Sequence, residues 1–380
     1  MAVAALSLLT AVPAAAAPRD PSPVAQTQAF AEPADADDPA IWVHPGDPSR
    51  SVVLGTLKEG GLAAFDLDAR TLQLVPTGPG GRFNNVDVVG DLAVVSDRGR
   101  DRVRVFRIDA AGSAAGAHVL RDVTDPAAAP VFSASESEVD DQRTAYGLAA
   151  GRDPVSGIRW VTVTRRHETR VALLRLVDQP DGTVGTAPLA TIDLPSSFRL
   201  PDGTTWSPCE EPGEGPQLEG SVLDGRVLYA AQEDVGIWRI PLTPAGFGRP
   251  ALVDRVRSYG VPQRWDADAE ECVADGPDPG FGGKWLTADA EGLAMAGSTL
   301  FASSQGDSRF VVYGPRTRDL RIVAGRGTDS VEHSDGSAIT TASLGRRFPR
   351  GLLVVHDGER AGDVPATGFA FVRLEAVIPR

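Results

Sequence analysis

The sequence predicts an all-β chain folded as a six-bladed β-propeller in a single domain. Three observations lead there. A strand-turn-strand unit recurs six times, turn formers abound with 41 Gly and 30 Pro, and no long segment carries apolar residues at helical spacing. A short unit that repeats along a chain marks an architecture built by stacking copies, each too small to bury its apolar face alone.

The unit is a small-apolar strand, a polar turn and a second strand with an aromatic or large aliphatic end. It is plainest in residues 286–313, LTADAEGLAMAGSTLFASSQGDSRFVVY, and in residues 217–240, QLEGSVLDGRVLYAAQEDVGIWRI. These two align, Leu218-Glu219-Gly220 on Ala290-Glu291-Gly292 and Tyr229-Ala230-Ala231-Gln232 on Ala302-Ser303-Ser304-Gln305. Further copies fall at residues 51–67, 92–108, 160–176 and, with a longer turn, 352–374. One blade per copy makes six, and helices are expected to be few and short.

Residues 1–17, MAVAALSLLTAVPAAAA, form an uncharged apolar run with a small-residue exit. They read as a signal peptide without its basic start, followed by a Pro-rich linker over 18–34 and the propeller over 35–380. The run is too short to span a bilayer. The mature chain is therefore expected outside the cell. Cys209 and Cys272 are the only cysteines, each in an acidic loop, and an even pair in an exported chain suggests a disulfide, with two unpaired thiols as the alternative. Zinc is not indicated, since there is no CxxC and only five His are present.

A net charge of −14 argues against nucleic acid and anionic membranes as partners. The acids gather at repeat-equivalent places: Asp35, Asp37 and Asp38; Asp87 after Asn84 and Asn85; Glu219; Glu233 and Asp234; Asp289 and Glu291; Asp329 and Asp335. Asp289 and Glu291 are two apart, so an extended backbone aims both at one point. In a propeller such positions converge near one end of the central channel, and crowded carboxylates stay ionised only beside cations. Oxygen ligands in variable geometry suit Ca²⁺. Basic residues occupy the turns of the first three copies: Lys58, Arg98, then Arg165 and Arg166. Metal ions and Arg forks together suit a multiply charged phosphate ester.

At this point the chain resembles the β-propeller phytases, calcium-dependent phosphatases of myo-inositol hexakisphosphate. The likeness rests on DADDPAIWVHPGDPSRSVVLGTLKEGGLAAFDLD, FNNVDVV, AYGLAA, PQLEGSV with AQEDVGIW, LTADAEGL with FASSQGDSRFVVY, and HSDG with LGRRFPRGLLVVHDG, in that order along the chain. It implies a catalytic calcium cluster on Asp38, Tyr146, Glu219, Glu233, Asp289, Glu291, Asp329 and Asp335, with Asn85 and Asp87 on a structural calcium. Lys58, Arg98 and Arg166 are implied to grip phosphate, with Arg165 competing for the third place and Tyr146 beside them. Glu59 departs from the family, where a second basic residue commonly stands.

The implied activity is that of a secreted phosphoric monoester hydrolase of the 3-phytase type. Its mechanism is direct attack of a calcium-bound water on phosphorus, without a covalent intermediate. Glu219, Asp289, Glu291, Lys58 and Arg98 would carry it, Glu219 positioning or deprotonating the water. The substrate would be phytate as a calcium complex, taken by a monomer. No GxSxG elbow or phosphohistidine motif supports a nucleophilic alternative. The competing reading is a calcium-stabilised extracellular propeller that binds a ligand or partner without turnover, since this fold hosts many functions.

Overall fold

Each of the six repeats forms an antiparallel sheet, because its two short apolar strands are joined by a polar turn, tight in the first five and longer in the sixth, and flanked by room for one strand on either side. The computed structural model describes residues 20–109 and 118–378, so the expected leader over 1–17 lies outside the described residues. Blade 1 comprises Pro39–Trp42, Val52–Thr56, Leu62–Phe65 and Thr71–Val75, in that spatial order. Blade 2 is Phe83–Val89, Leu92–Asp97, Arg102–Ile108 and Leu120–Asp122, and blade 3 is Ala145–Arg152, Arg159–Arg165, Arg170–Asp178 and Val184–Asp193. In blade 4, Leu218–Asp224, Val227–Gln232 and Gly236–Thr243 are followed by two short strands, Gly246–Phe247 and Ala251–Arg255, both paired with the third. Blade 5 is Ala290–Ala296, Thr299–Ser304, Arg309–Tyr313 and Arg318–Leu320. The six repeats seen in the sequence are the two middle strands of the six blades.

Blade 6 departs from the expected boundaries. Its strands Ser337–Thr340, Leu352–Asp357 and Gly368–Arg373 take a fourth, Ala25–Gln26, from the segment expected to be a linker. Ala25 lies opposite Phe371 and Gln26 opposite Ala370. Backbone bonds from Val24 N to Phe371 O (2.8 Å) and between Phe30 and Thr367 extend the pairing, and the Phe30 side chain is buried. Residues 20–34 thus belong to the propeller, because the last sheet has an open edge that a borrowed strand closes.

The first strands of the blades stand side by side around a central channel, and the core lies in the layers between neighbouring sheets. Between blades 6 and 1 it is aromatic, with Phe65, Phe348, Phe369 and Phe371 all out of contact with solvent. Each such ring contributes roughly 2–3 kcal/mol by leaving water. Two extra hairpins, Phe198–Arg199 with Thr205–Trp206 and Gln263–Asp266 with Glu271–Ala274, flank blade 4. Cys209 and Cys272 are bonded to each other (S–S 2.11 Å), tying the two loops together. Among the described residues, helices are limited to short pieces such as Glu136–Asp140 and Leu374–Val377, and none is long and apolar enough to cross a membrane.

Candidate active site

Antiparallel pairing brings the start of a blade's first strand and the turn after its second strand to the same end of the molecule. Every blade can therefore offer two side chains to one end of the channel. Strand entries supply Asp37, Asn84, Tyr146, Glu219, Glu291 and Asp335, and the turns of blades 1–5 supply Lys58, Arg98, Arg166, Glu233 and Gln305. All of these except Arg166 line one cavity of about 250 Å³, together with Gln217 and Asp289.

The strand entries are bulged. Register slips between Phe83 and Val86, Ala145 and Leu148, Leu218 and Ser221, and Ala290 and Leu293. Each slip holds a site residue, and a bulge of this kind re-aims the side chain it carries. In three of them the next residue is Gly, and the reason is closeness. A Cβ on Gly147 would stand 2.1 Å from Glu219 O, and one on Gly220 would stand 2.3 Å from Glu291 O. The backbone of each blade thus rests on the site residue of the next.

Hydroxyl groups of the second strands lock this arrangement. Thr56 Oγ1 accepts from Asp38 N (3.0 Å) and donates to Asn84 O of the next blade. Ser96 Oγ accepts from Asn85 N (2.9 Å) and donates to Tyr146 O (2.5 Å), while Thr164 Oγ1 accepts from Gly147 N (2.8 Å) and donates to Leu218 O (2.5 Å). All three are buried, where an unmade hydrogen bond costs about 1–3 kcal/mol. The ring is stitched blade to blade at the level of the site.

Carboxylates dominate the cavity. Glu219, Glu233 and Glu291 each place an oxygen within 4.8 Å of the others. Burial, with Asp335 next, raises the Glu219 carboxyl above its ordinary range. Burial with Asp289 and Glu219 does the same to Glu233, and burial with Glu219 and Glu233 to Glu291. Asp37 is pushed up to about 7 by burial despite Lys58, and Asp335 to about 8 by burial and Asp37. Asp37 Oδ1, Glu233 Oε1 and Glu291 Oε2 are buried and have no protein partner. Such a set is costly without a cation, and its donors are oxygens alone, so the residues present fit Ca²⁺. Amides steady the rest: Asn84 Nδ2 donates to Glu219 Oε1 (2.6 Å), Gln217 Nε2 to Glu233 Oε2 (3.0 Å) and Gln305 Nε2 to Asp335 Oδ1.

The cations lie against the other side. Lys58 pairs with Asp35 and stands 3.8 Å from Asp37. Burial acts to lower its ammonium, but Asp37 and Asp35 outweigh burial and hold it above its ordinary value. Arg98 donates through Nη1 only to the neutral Asn84 Oδ1 (3.0 Å), and its guanidinium stands 5.7 Å from the centre of the Tyr146 ring. Arg166 stands 5.9 Å from the same ring and donates to Gln142 Oε1 (2.9 Å). Both are positioned against an aromatic face with spare donors.

Several residues named from the sequence stand elsewhere. Arg165 points away from the cavity: it donates to Arg143 O and Glu168, pairs with Glu138 and packs on Phe132. Strand alternation sends adjacent side chains to opposite faces, so Arg166 alone of the two reaches Tyr146. The same rule separates Asp37 from Asp38. Asp38 accepts from Val86 N (3.0 Å) and lines the channel beside Asp87, in a cavity of about 290 Å³ behind the carboxylate cluster. Asp87 accepts from Ala150 N and Val88 N, with burial raising it to about 6. Asn85 accepts from the Asn84 amide. Asp329 sits outside the cluster, accepting from Ala361 N (2.6 Å) and Ser330 N, because the loop carries it to the periphery beside Asp357 and Arg360.

Comparison with known proteins gives the chain a family. A family model described as Phytase matches residues 2–147 and 265–378. The 3-phytase of Bacillus subtilis strain 168 is 28% identical over 367 residues, covering 90% of this chain and 80% of that protein. Among solved structures, a regucalcin from Agrobacterium tumefaciens C58 shares 13% identity over 93% of this chain and 95% of that one, with a TM-score of 0.48. Virginiamycin B lyase from Staphylococcus aureus shares 13% over 89% and 95%, with a TM-score of 0.42. Likenesses of that order say nothing about activity. The family match spans most of the chain and includes the strand entries of blades 1, 2, 3, 5 and 6, and on that ground the protein belongs to the phytase family as a six-bladed β-propeller.

Proposed function

We propose that the chain is a secreted, calcium-dependent phosphoric monoester hydrolase that acts on myo-inositol hexakisphosphate. The observation that carries this reading is one cavity with two unsatisfied halves. Buried carboxylate oxygens without partners face it from blades 1, 4 and 5, and the Arg98 guanidinium, hydrogen-bonded to a neutral amide, faces it from blade 2. A calcium salt of a phosphate ester supplies what each half lacks.

Glu219, Glu233, Asp289, Glu291 and Asp335, joined by Asp37, are the residues that would hold calcium. Bound calcium would lower the pKa of water and offset negative charge on phosphate oxygens. The chain's own groups prepare the rest. Lys58 and Arg98 present donors to phosphate oxygens, and Arg166 extends the same row along Tyr146. Glu219 is held by Asn84 and by the Tyr146 hydroxyl, which fixes its carboxylate to position or deprotonate the attacking water. Asn84 also accepts from Arg98, so one amide sets the distance between acid and cation. Asp87, deep in the channel, with Asn85 two residues before it, suits a structural calcium.

Specificity of the 3-phytase kind is proposed from the name of the Bacillus subtilis relative. Secretion is supported by the Cys209–Cys272 bond, since disulfides persist in oxidising compartments. Phosphate release from myo-inositol hexakisphosphate, measured with calcium and then with EDTA, tests the proposal. Release that stops with EDTA and resumes on adding calcium is expected, and no release from folded protein at any calcium level would overturn it.

A further inference from the structure

The acidic side of the active site has an outer wall that no blade supplies. A second cavity, of about 650 Å³, is bordered by Cys209, Glu210, Glu214 and Cys272 of the two disulfide-bonded loops, and it shares Gln217, Glu233 and Asp289 with the catalytic cavity. Glu233, on that shared wall, has its Oε1 buried without a protein partner. Beyond it stand Glu210 and Asp234, half-buried like Asp289. Among the described residues, no Lys, Arg or His borders this cavity, and the carboxylates of Glu210, Asp234 and Asp289 have no hydrogen-bond donor and no ion-pair partner. Burial, then Asp289 and Glu214, push the Glu210 carboxyl up to about 7, and burial, then Asp289 and Glu210, raise Asp234. Glu210 belongs to no strand and to no repeated turn of a blade.

What keeps Glu210 beside those acids is the bond next to it. Among the described residues, residues 207–216 make no backbone hydrogen bond to a blade. Their charged contact with one is Glu214 Oε1, 3.4 Å from His167 Nε2, and burial, then Arg166, holds His167 down at about 4, so that imidazole is neutral. The hairpin strands Gln263–Asp266 and Glu271–Ala274 pair only with each other. Cys209–Cys272 joins loop to hairpin, and both cysteines border the cavity, half-buried rather than sealed. We infer that Glu210 is a further acid of the calcium site, adding its charge on the outer side of Asp289, and that the Cys209–Cys272 bond holds it there, so that calcium affinity depends on whether this bond is made. The inference rests on the proposed function. The number of charges around a Ca²⁺ site tunes its affinity. Cleavage by a dithiol would pass two electrons to the cysteine pair. One thiolate attacks a sulfur and the S–S bond breaks; the second thiol then closes the dithiol into its own disulfide, and Cys209 and Cys272 each end with a proton.

A brace for the fold and a holder of charge differ in what they change. Calorimetric titration with calcium alone, and the melting temperature without calcium, would be measured on wild type and Glu210→Gln, each before and after reduction with dithiothreitol. Glu210→Gln is expected to raise the calcium Kd about three- to tenfold, the size of one charge acting across several ångströms. Because it relieves Asp234 and Asp289 of a like charge, it should not lower the melting temperature measured without calcium. Reduction of wild type should raise the Kd by a similar factor. Reduction of Glu210→Gln should add less than about twofold, since the charge that reduction would release is already gone. A wild-type Kd in Glu210→Gln, or equal losses on reducing the two forms, would overturn the inference. Unfolding on reduction, read by circular dichroism, would overturn it too, because the bond would then hold the fold and not Glu210. Absence of calcium binding by the wild type overturns the proposed function instead, so the two failures are separable.

Discussion

The turn after the second strand is basic in blades 1–3, with Lys58, Arg98 and Arg166, and acidic or amide in blades 4 and 5, with Glu233 and Gln305. Backbone position is the same in all five, and only the side chain differs. Repetition of the fold therefore decides where a group stands, while the individual blade decides its charge. The result is a divided cavity in a chain of net charge −14. On the proposed reading, an acidic protein would receive a polyanion because its cations are gathered on one side, with metal offsetting the acids on the other.

The division can be broken most severely from the acidic side. Glu219→Gln keeps the size of the side chain and its contact with Asn84 but removes the charge at the centre of the cluster, so kcat/KM for phosphate release from the hexakisphosphate should fall at least about a hundredfold. Circular dichroism unchanged from wild type would show that the fold persists. Near-normal release by this variant would place the chemistry elsewhere.

On the basic side, Arg98→Gln should cost about ten- to a hundredfold in kcat/KM, the range for losing charge-assisted hydrogen bonds. Arg165→Gln, at the end of the second strand of the next blade, should change kcat/KM less than about twofold while lowering the melting temperature, because its guanidinium braces Glu138, Glu168 and Phe132. Equal kinetic losses in the two variants would erase the distinction drawn between them.

The smallest expected effect sharpens the contrast from outside the cavity. Asp153 is as inaccessible as the cluster acids, yet its carboxyl is held below its ordinary range, foremost by hydrogen bonds from Arg226. A folded-state pKa below the unfolded value gives stability that is fully present above the unfolded pKa, about 4, and is lost as pH falls through the folded value. Asp153→Asn should therefore lower the melting temperature by a few degrees at neutral pH, with the gap closing as the solution is acidified, and leave phosphate release intact. A gap that stays constant through acid would show that the pair contributes by shape alone.

Much of this was legible in the sequence, and the reason is repetition. Six strand-turn-strand units announced six blades, and Glu219-Gly220 with Glu291-Gly292 announced two strand entries, because the close approach of neighbouring backbones demands the glycine. Charge alone was a poorer guide between adjacent residues. Asp37 and Asp38, like Arg165 and Arg166, differ only in which face they take, and a bulge or a turn decides that. Asn84, Gln217 and Gln305 carry no charge and so gave no sign of joining the acids, although each steadies a carboxylate. Asp329 was placed in the cluster by the family resemblance, and the path of the loop from it to Asp335 was invisible.

The strand Ala25–Gln26 on the edge of blade 6 also sets an order of events. A chain made from its first residue onward can assemble blades 1 to 5 from local pieces as they emerge. Its sixth sheet has to wait for Gly368–Arg373, more than three hundred residues after the strand it must join. Contacts that far apart along the chain form late, since the entropy of closing so large a loop opposes them. Until that clasp shuts, Asp335 and Asp37 belong to opposite ends of an open arc, and the cavity has no circumference. Completion of the ring and completion of the site are then a single step, reached only once Gly368–Arg373 has been made.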